Sequence, residues 1–220
     1  IGKVLSRWVH GIAYRAFDHN SVEELAMNST IPVINALSDW EHPCQALGDI
    51  LTIKENFPNL DQCTISFIGD GNNVASSLAL AAMSVGATFR IASPKDYRLR
   101  AGIVDRAKDI AQITGSKIIG LNTPTEAVKG SDVIYTDVWS SMGQEDHAEE
   151  RRKIFAEFKV DERLLDQAKP DAIFMHDMPV HYGEEIEFGF LDHPQSVAFD
   201  QAENRLHAQK AILESLLTRT

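Results

Sequence analysis

The sequence is poor in cysteine. It has two, Cys44 and Cys63, and no CxxC spacing. That excludes a disulfide framework and a zinc ribbon as organising principles. It has no long Lys/Arg run, and its formal net charge is −11. An acidic chain of this kind is not built around nucleic acid or an anionic membrane surface. A small anionic substrate stays open, because it needs only a few local positive groups. No apolar run approaches the roughly 18 residues of a membrane span. No signal peptide stands ahead of Asn28-Ser29-Thr30, so that sequon reads as chance and a cytoplasmic protein is the default expectation. Internal repeats and low-complexity segments are missing too. So is an initiating methionine: "IGKVLSRWVHGIAYRAF" runs at once into a buried-looking segment, as a fragment would.

What is present suits a folded protein. The chain has 220 residues, 44% of them hydrophobic. That is enough for one large domain or two small ones, each with a real core. Helical spacing is expected over 4–10, and a short buried strand over 11–17. A helix over 20–28 is expected to be capped by Ser21, with Glu24 three residues on. An apolar strand covers 31–37. A helix then starts near Pro43, whose missing N–H is harmless in a first turn, and ends by Pro58.

From there strands and helices alternate. Strands are expected over 63–68, 87–92, 117–121, 132–139 and 172–178, and helices over 73–85, 98–114, 124–129, 147–158 and 160–168. A last helix is expected over 202–218. This alternation predicts a mostly parallel sheet covered on both faces. Such a sheet gathers its ligands beyond the carboxyl ends of its strands.

Several stretches fall at those ends. "GDGNN" (69–73) follows a strand and opens a helix, where free N–H groups favour an anion. A dinucleotide fingerprint wants a third glycine where Val74 stands, so a nicotinamide or flavin site is disfavoured. Asn72 and Asn73 either cap the helix or reach a ligand carboxylate. "DVWSSMGQE" (137–145) leaves a strand as a Ser- and Gly-rich loop, which is either a plain connection or a lid. "RAFDH" and "EHPCQ" each place a cation, actual or potential, at an element end. "AENR" (202–205) opens the last expected helix, with Glu203 near its positive end. "MHDMP" puts Asp177 just beyond a buried strand.

Together these motifs resemble the aspartate/ornithine carbamoyltransferase family, closer to its ornithine branch. "EHPCQALGDILTIKE" resembles the HPxQ segment on the helix joining two domains. "FIGDGNNVASSL" resembles the opening turn of the second domain. "TDVWSSMGQE" resembles the ornithine branch's D-x-W-x-S-M-G loop, and "SVAFDQAENRLHAQKAIL" its closing helix. The resemblance covers nearly the whole chain. It implies two parallel-sheet α/β domains, the N-terminal one incomplete here. Residues 1–41 would be a remnant of the carbamoyl-phosphate domain, 42–57 the joining helix, 58–200 the amino-acid domain, and 201–220 a helix returning to the first domain.

Two departures stand out. The family's Ser-Thr-Arg-Thr phosphate loop is absent, and "LTRT" at 217–220 ends a helix rather than starting one. Lys3 abuts Val4 where relatives carry a short acidic loop, as an interrupted sequence would show. By resemblance, Arg15, His42, Gln45 and Arg205 would hold carbamoyl phosphate. Asn73, Asp137, Ser141, Met142, Asp177 and Met178 would hold ornithine, its α-carboxylate at Asn73 and its α-ammonium at Asp137. Arg15, His42, Asp137 and Asp177 would serve the chemistry, with no metal or redox cofactor. The partners would be the two substrates, and the assembly a homotrimer or a set of trimers.

The implied reaction is carbamoyl transfer from carbamoyl phosphate to ornithine, giving citrulline. It asks the protein to align two substrates and to place positive groups where oxyanion charge develops. His42 is expected to donate or polarise rather than act as a base. Where the ornithine branch has H-C-L-P, this chain has His176-Asp177-Met178-Pro179. Asp177 is then a working replacement for the cysteine beside the attacking amine, the mark of a different amine such as putrescine, or a bland polar residue. A carboxylate there could accept the amine's proton, and a second one nearby would raise its pKa. A non-catalytic paralogue is a further reading. His181, Glu184 and Glu185 crowd the same loop, at a spacing that matches no metal-ligand set.

Overall fold

The computed structural model describes residues 1–140 and 147–218. Its centre is a five-stranded sheet, all parallel, in the order β5-β4-β3-β6-β7. The strands are β3 (Thr64–Ile68), β4 (Thr88–Ala92), β5 (Lys117–Leu121), β6 (Val133–Thr136) and β7 (Ile173–His176). The chain builds outward from β3 to β5, then returns to add β6 and β7 on the other side. The order therefore reverses between β3 and β6, and their carboxyl ends frame the crevice where such folds bind ligands.

Side chains alternate across the sheet with period two. Ile65, Phe67, Val133, Tyr135, Ile173 and Met175 face one core, with helices α4 (Asn73–Ser84) and α5 (Ala101–Thr114). Ile68, Ile134 and Phe174 face a second core, with α6 (Pro124–Val128), α7 (Ala148–Phe155) and α8 (Glu162–Leu165). The expected two-sided parallel sheet is present. Each fully buried Phe or Ile side chain contributes about 1.5–3 kcal/mol relative to exposure.

The N-terminal part is smaller. It holds α1 (Gly2–Leu5), β1 (Ile12–Arg15), α2 (His19–Met27) and β2 (Val33–Leu37), with β1 and β2 paired in parallel. Helix α1 is shorter than expected. Strand β1 alternates between half-buried and exposed instead of being buried. The cap of α2 is Asp18, not Ser21: the Asp18 side chain accepts the Asn20 N–H, while Ser21 Oγ donates back to the Asp18 carbonyl. A cap must lie outside the helix with extended backbone, and Asp18 does, three residues before Ser21.

Helix α3 (Pro43–Asn56) spans from this part to the sheet, and α9 (Ala198–Leu217) packs along it. Gly48 permits the approach. A Cβ there would stand 3.2 Å from Arg205 Cγ and 3.4 Å from the Arg205 backbone. Helix α9 begins four residues earlier than expected, so Glu203 lies past its first turn. It sits 3.5 Å from His207 one turn on.

Candidate active site

The carboxyl ends of β3, β6 and β7 and the start of α3 carry most of the chemistry-bearing side chains. His42 is the residue before α3, followed by Pro43 at its first position. Its N–H donates to Ser77 Oγ at 2.7 Å, which fixes the helix start against α4. The His42 ring is buried, and its Nδ1 has no hydrogen-bond partner. Burial, with the positive charges of Arg205 and Arg15 second and third, lowers its pKa to about 4. The imidazole is therefore neutral near pH 7, with one N–H to give. A site flanked by Arg15, Arg205 and a helix start favours an anion.

Gln45 and Arg205 complete that side. Gln45 Nε2 donates to Asp49 Oδ1 at 2.9 Å, and its Oε1 is buried without a partner. Arg205 Nε is likewise buried and unpartnered. The structure thus brings together Arg15, His42 and Arg205, residues drawn from β1, α3 and α9.

Asp137 directly follows β6 and is buried. Its Oδ2 accepts from Asn72 Nδ2 and its Oδ1 from the Val138 N–H, both at 2.6 Å. Asn72 does double duty, because its own oxygen caps α4 by accepting the Ala75 N–H at 3.0 Å. Asn73 stands at the same turn. Its amide donates to the Ser38 carbonyl at 2.8 Å, tying the sheet domain to the end of β2. To reach a ligand carboxylate, that amide would have to leave Ser38.

Asp177 follows β7 as Asp137 follows β6, and the strands are in register at Thr136 and His176. The two carboxyl groups therefore neighbour one another. Met178 then takes a backbone φ of 53°, and the peptide to Pro179 is cis. The left-handed φ is costly for a residue with a side chain and turns the chain sharply after Asp177. The Asp177 side chain is 10% exposed, and its Oδ1 has no hydrogen-bond partner. Burial, and then the charge of Asp137, push its pKa well above the carboxylate range.

A buried polar network lies beneath. Asp49 Oδ1 accepts from Gln201 Nε2 at 2.7 Å, Tyr135 Oη donates to Asp49 Oδ2 at 3.2 Å, and Gln201 Oε1 accepts the His176 N–H at 2.9 Å. It joins α3, β6, β7 and α9 into one support. Burial pushes Asp49 up to about 7 against three donors that favour its ionised form. At the end of β3, Asp70 pairs with Arg151 of α7, which also donates to the Trp139 carbonyl and lies over Tyr97 at 4.6 Å. Burial raises the Asp70 pKa, and Arg151 opposes that rise.

Sequence reasoning missed part of this. Asn72 was offered as a cap or a ligand contact, not as the partner of Asp137. Arg151, Asp49, Tyr135 and Gln201 were not singled out. The one sequence signal was the i,i+4 spacing of Gln45 and Asp49. Ser141 and Met142, and with them the lid reading of that loop, lie outside the described residues. His181, Glu184 and Glu185 do converge, with ligand atoms within 4.8 Å of one another. Glu184, however, pairs with Arg152 at 2.8 Å, and Glu185 accepts the His181 N–H at 2.6 Å. Glu184 and Glu185 Oε1 are thus engaged, while Glu185 Oε2 is buried without a partner.

Family models agree with this architecture. The Asp/Orn binding domain of aspartate/ornithine carbamoyltransferase matches residues 61–216, and the carbamoyl-P binding domain matches residues 1–55. An ornithine carbamoyltransferase of Thermococcus kodakarensis is 52% identical over 211 residues, covering 96% of this chain and 67% of that protein. One from Anoxybacillus flavithermus is 52% identical over 215 residues, covering 98% of this chain and 68% of that protein. The chain thus spans about two thirds of the length of these relatives. The solved ornithine carbamoyltransferase of Pyrococcus furiosus superposes with a TM-score of 0.96 at 49% identity, over 100% of this chain and 70% of that one. The chain is a member of the aspartate/ornithine carbamoyltransferase family.

Proposed function

We propose that this protein transfers the carbamoyl group of carbamoyl phosphate to the side-chain amine of L-ornithine, giving L-citrulline and phosphate. The observation that carries the reading is the pairing of two unlike seats. Arg15 and Arg205 gather at neutral His42 as a cationic seat, and Asp137 and Asp177 make an anionic one at the strand ends. The first suits a phosphate dianion, with Gln45 Oε1 as an acceptor for the carbamoyl N–H₂. The second suits an ammonium. Relatives named ornithine carbamoyltransferase over nearly the whole chain support the same choice.

The roles follow from charge and geometry. Arg15 and Arg205 offset the phosphate charge. The His42 N–H stabilises the oxyanion that forms as the carbonyl is attacked. Asp137, held in place by Asn72 and the Val138 N–H, takes the α-ammonium, while Asn73 with Ser141 and Met142 takes the remainder of the amino acid. Asp177 and Met178 border the reacting amine. Residues 1–41 belong to the carbamoyl-phosphate side, 42–57 join the halves, 58–200 hold the amino acid and 201–220 return to the first half. The working form is a cytoplasmic homotrimer or an assembly of trimers.

The test compares ornithine, putrescine and lysine as acceptors with carbamoyl phosphate, scoring the ureido product. Ornithine should lead by at least about tenfold in kcat/KM, because putrescine lacks the α-carboxylate and leaves that seat unfilled. Preference for putrescine would refute the assignment of the acceptor. Sedimentation or light scattering checks the trimer, and a monomer at micromolar concentration would contradict it.

A further inference from the structure

Asp137 and Asp177 do not stand alike. Asp137 has both oxygens satisfied by N–H donors, as an ionised carboxylate requires. Asp177 Oδ1 has no partner. His176 Nδ1 lies 3.7 Å away. That nitrogen accepts the Met178 N–H at 2.9 Å, so it carries no proton. The ring proton sits on Nε2 instead, 3.4 Å from Glu185 on the far side. His176 therefore offers Asp177 a lone pair, not a hydrogen.

Among the described residues, no cation bears on Asp177. The charges acting on it from the described residues are carboxylates, Asp137 of the β6 end first and Asp49 of α3 second. Tyr135 of β6 is neutral and donates to Asp49. Arg151 of α7 is held by Asp70, and Arg205 of α9 bears on His42 and Asp49. The Asp177 carboxyl also meets its own backbone N–H and the Asp137 carboxyl, and two carboxyl groups in hydrogen-bond contact must share a proton or take a cation. The spacing suits the proposed acceptor. Neighbouring strands lie about 4.8 Å apart, and ornithine's two ammonium groups are separated by a short chain of four carbons. One carboxylate can face each nitrogen.

We propose that Asp177 seats and deprotonates the attacking amine of the acceptor, and that the Asp137–Asp177 pair gives up one proton to solvent when that ammonium docks. This rests on the ornithine reading above. In the empty protein the pair holds one proton on Asp177. The incoming side-chain ammonium replaces it, and the released proton goes to water. The bound ammonium then passes a proton to the Asp177 carboxylate. The freed lone pair forms the N–C bond at the carbamoyl carbon. The C–O bond to phosphate breaks with its electron pair going to the phosphate oxygen, and the second amine proton leaves on the phosphate. Asp177 ends protonated, as it began, and each turnover releases one proton at the binding step.

The experiment is calorimetric titration of the protein at pH 6, saturated with inorganic phosphate, in three buffers of different ionisation enthalpy. Titrants are ornithine and 2-aminopentanoate, the same amino acid without the side-chain amine. Close to one proton released per ornithine bound, and close to none for 2-aminopentanoate, is the expected result. Asp177→Asn and Asp177→Cys should both bind ornithine without proton release, the thiol being neutral at this pH. Ornithine binding without proton release in the unaltered protein would overturn this proposal while leaving the acceptor reading intact. Equal release with 2-aminopentanoate, or undiminished release in Asp177→Cys, would overturn it too. Failure of ornithine to bind at all would overturn the acceptor reading and this proposal with it.

Discussion

If Arg15, Arg205 and His42 form the phosphate seat, then filling that seat must reverse the electrostatics of His42. In the empty protein burial and two guanidinium groups hold its pKa at about 4, against 6.5 for a free imidazole. That is about 3 kcal/mol of bias against the imidazolium. A phosphate dianion places two negative charges within contact of the ring. Each is worth about 4 kcal/mol at roughly 4 Å and an effective dielectric near 20. Arg15 and Arg205 share those charges, so only part of the attraction reaches the ring, enough to offset most of the bias. Saturating phosphate should therefore lift the His42 pKa above about 6. The assay is an NMR titration of the ring protons, assigned by loss of the signal in His42→Asn. A His42 that titrates near 6.5 in the empty protein, or that ignores phosphate, would refute this placement of the seat.

Stability should follow the same groups. His42 is depressed when folded, so the unfolded chain binds more protons between about pH 4 and 6.5, and folding weakens as pH falls through that window. Asp49 is raised from 3.8 to about 7, so folding weakens as pH rises over nearly the same window, by at most about 4 kcal/mol. The slopes oppose, Asp70 and Asp177 being raised like Asp49, and Asp49→Asn should tilt the denaturation profile toward the His42 slope. A profile unchanged by Asp49→Asn would contradict this. Arg151→Met should cost about 3–5 kcal/mol by leaving Asp70 buried and unpaired. Adding Asp70→Asn should recover part of it; no recovery would mean that Arg151 acts through packing alone. Gly48→Val should push α9 off α3 and displace Arg205, costing about 1–3 kcal/mol and weakening phosphate binding about tenfold. Unchanged phosphate affinity would separate Arg205 from the seat.

The sheet was readable because its strands are short buried runs. "TISFI", "DVIYT" and "AIFMH" sit between turn signals, and strands buried on both faces read that way. The N-terminal strands were harder, since β1 alternates and β2 is half-buried throughout. The start of α9 was missed because Ala198–Gln201 already lies in the helix, while "AENR" looks like a beginning. At the site, Asp137 and Asp177 were legible as carboxylates following buried strands. The partnership of Asp70 with Arg151 was not, because it joins residues 81 apart in sequence. Nor was the division of labour between Asn72 and Asn73: the two are chemically identical, and only backbone direction decides which meets Asp137 and which meets Ser38. Glu185 reads as a surface residue in a polar loop, yet it is fully buried beside His176.

The most direct measurement follows ¹³C-labelled carbamoyl phosphate mixed with ornithine and the purified protein, by carbon NMR. The account predicts that the label moves into the ureido carbon of citrulline. It also predicts that His42→Asn lowers kcat, while Asp137→Asn raises the ornithine KM by about 10–100-fold, the worth of one charge-assisted hydrogen bond. Label that stays on carbamoyl phosphate, or appears only as its breakdown products, would contradict the central claim.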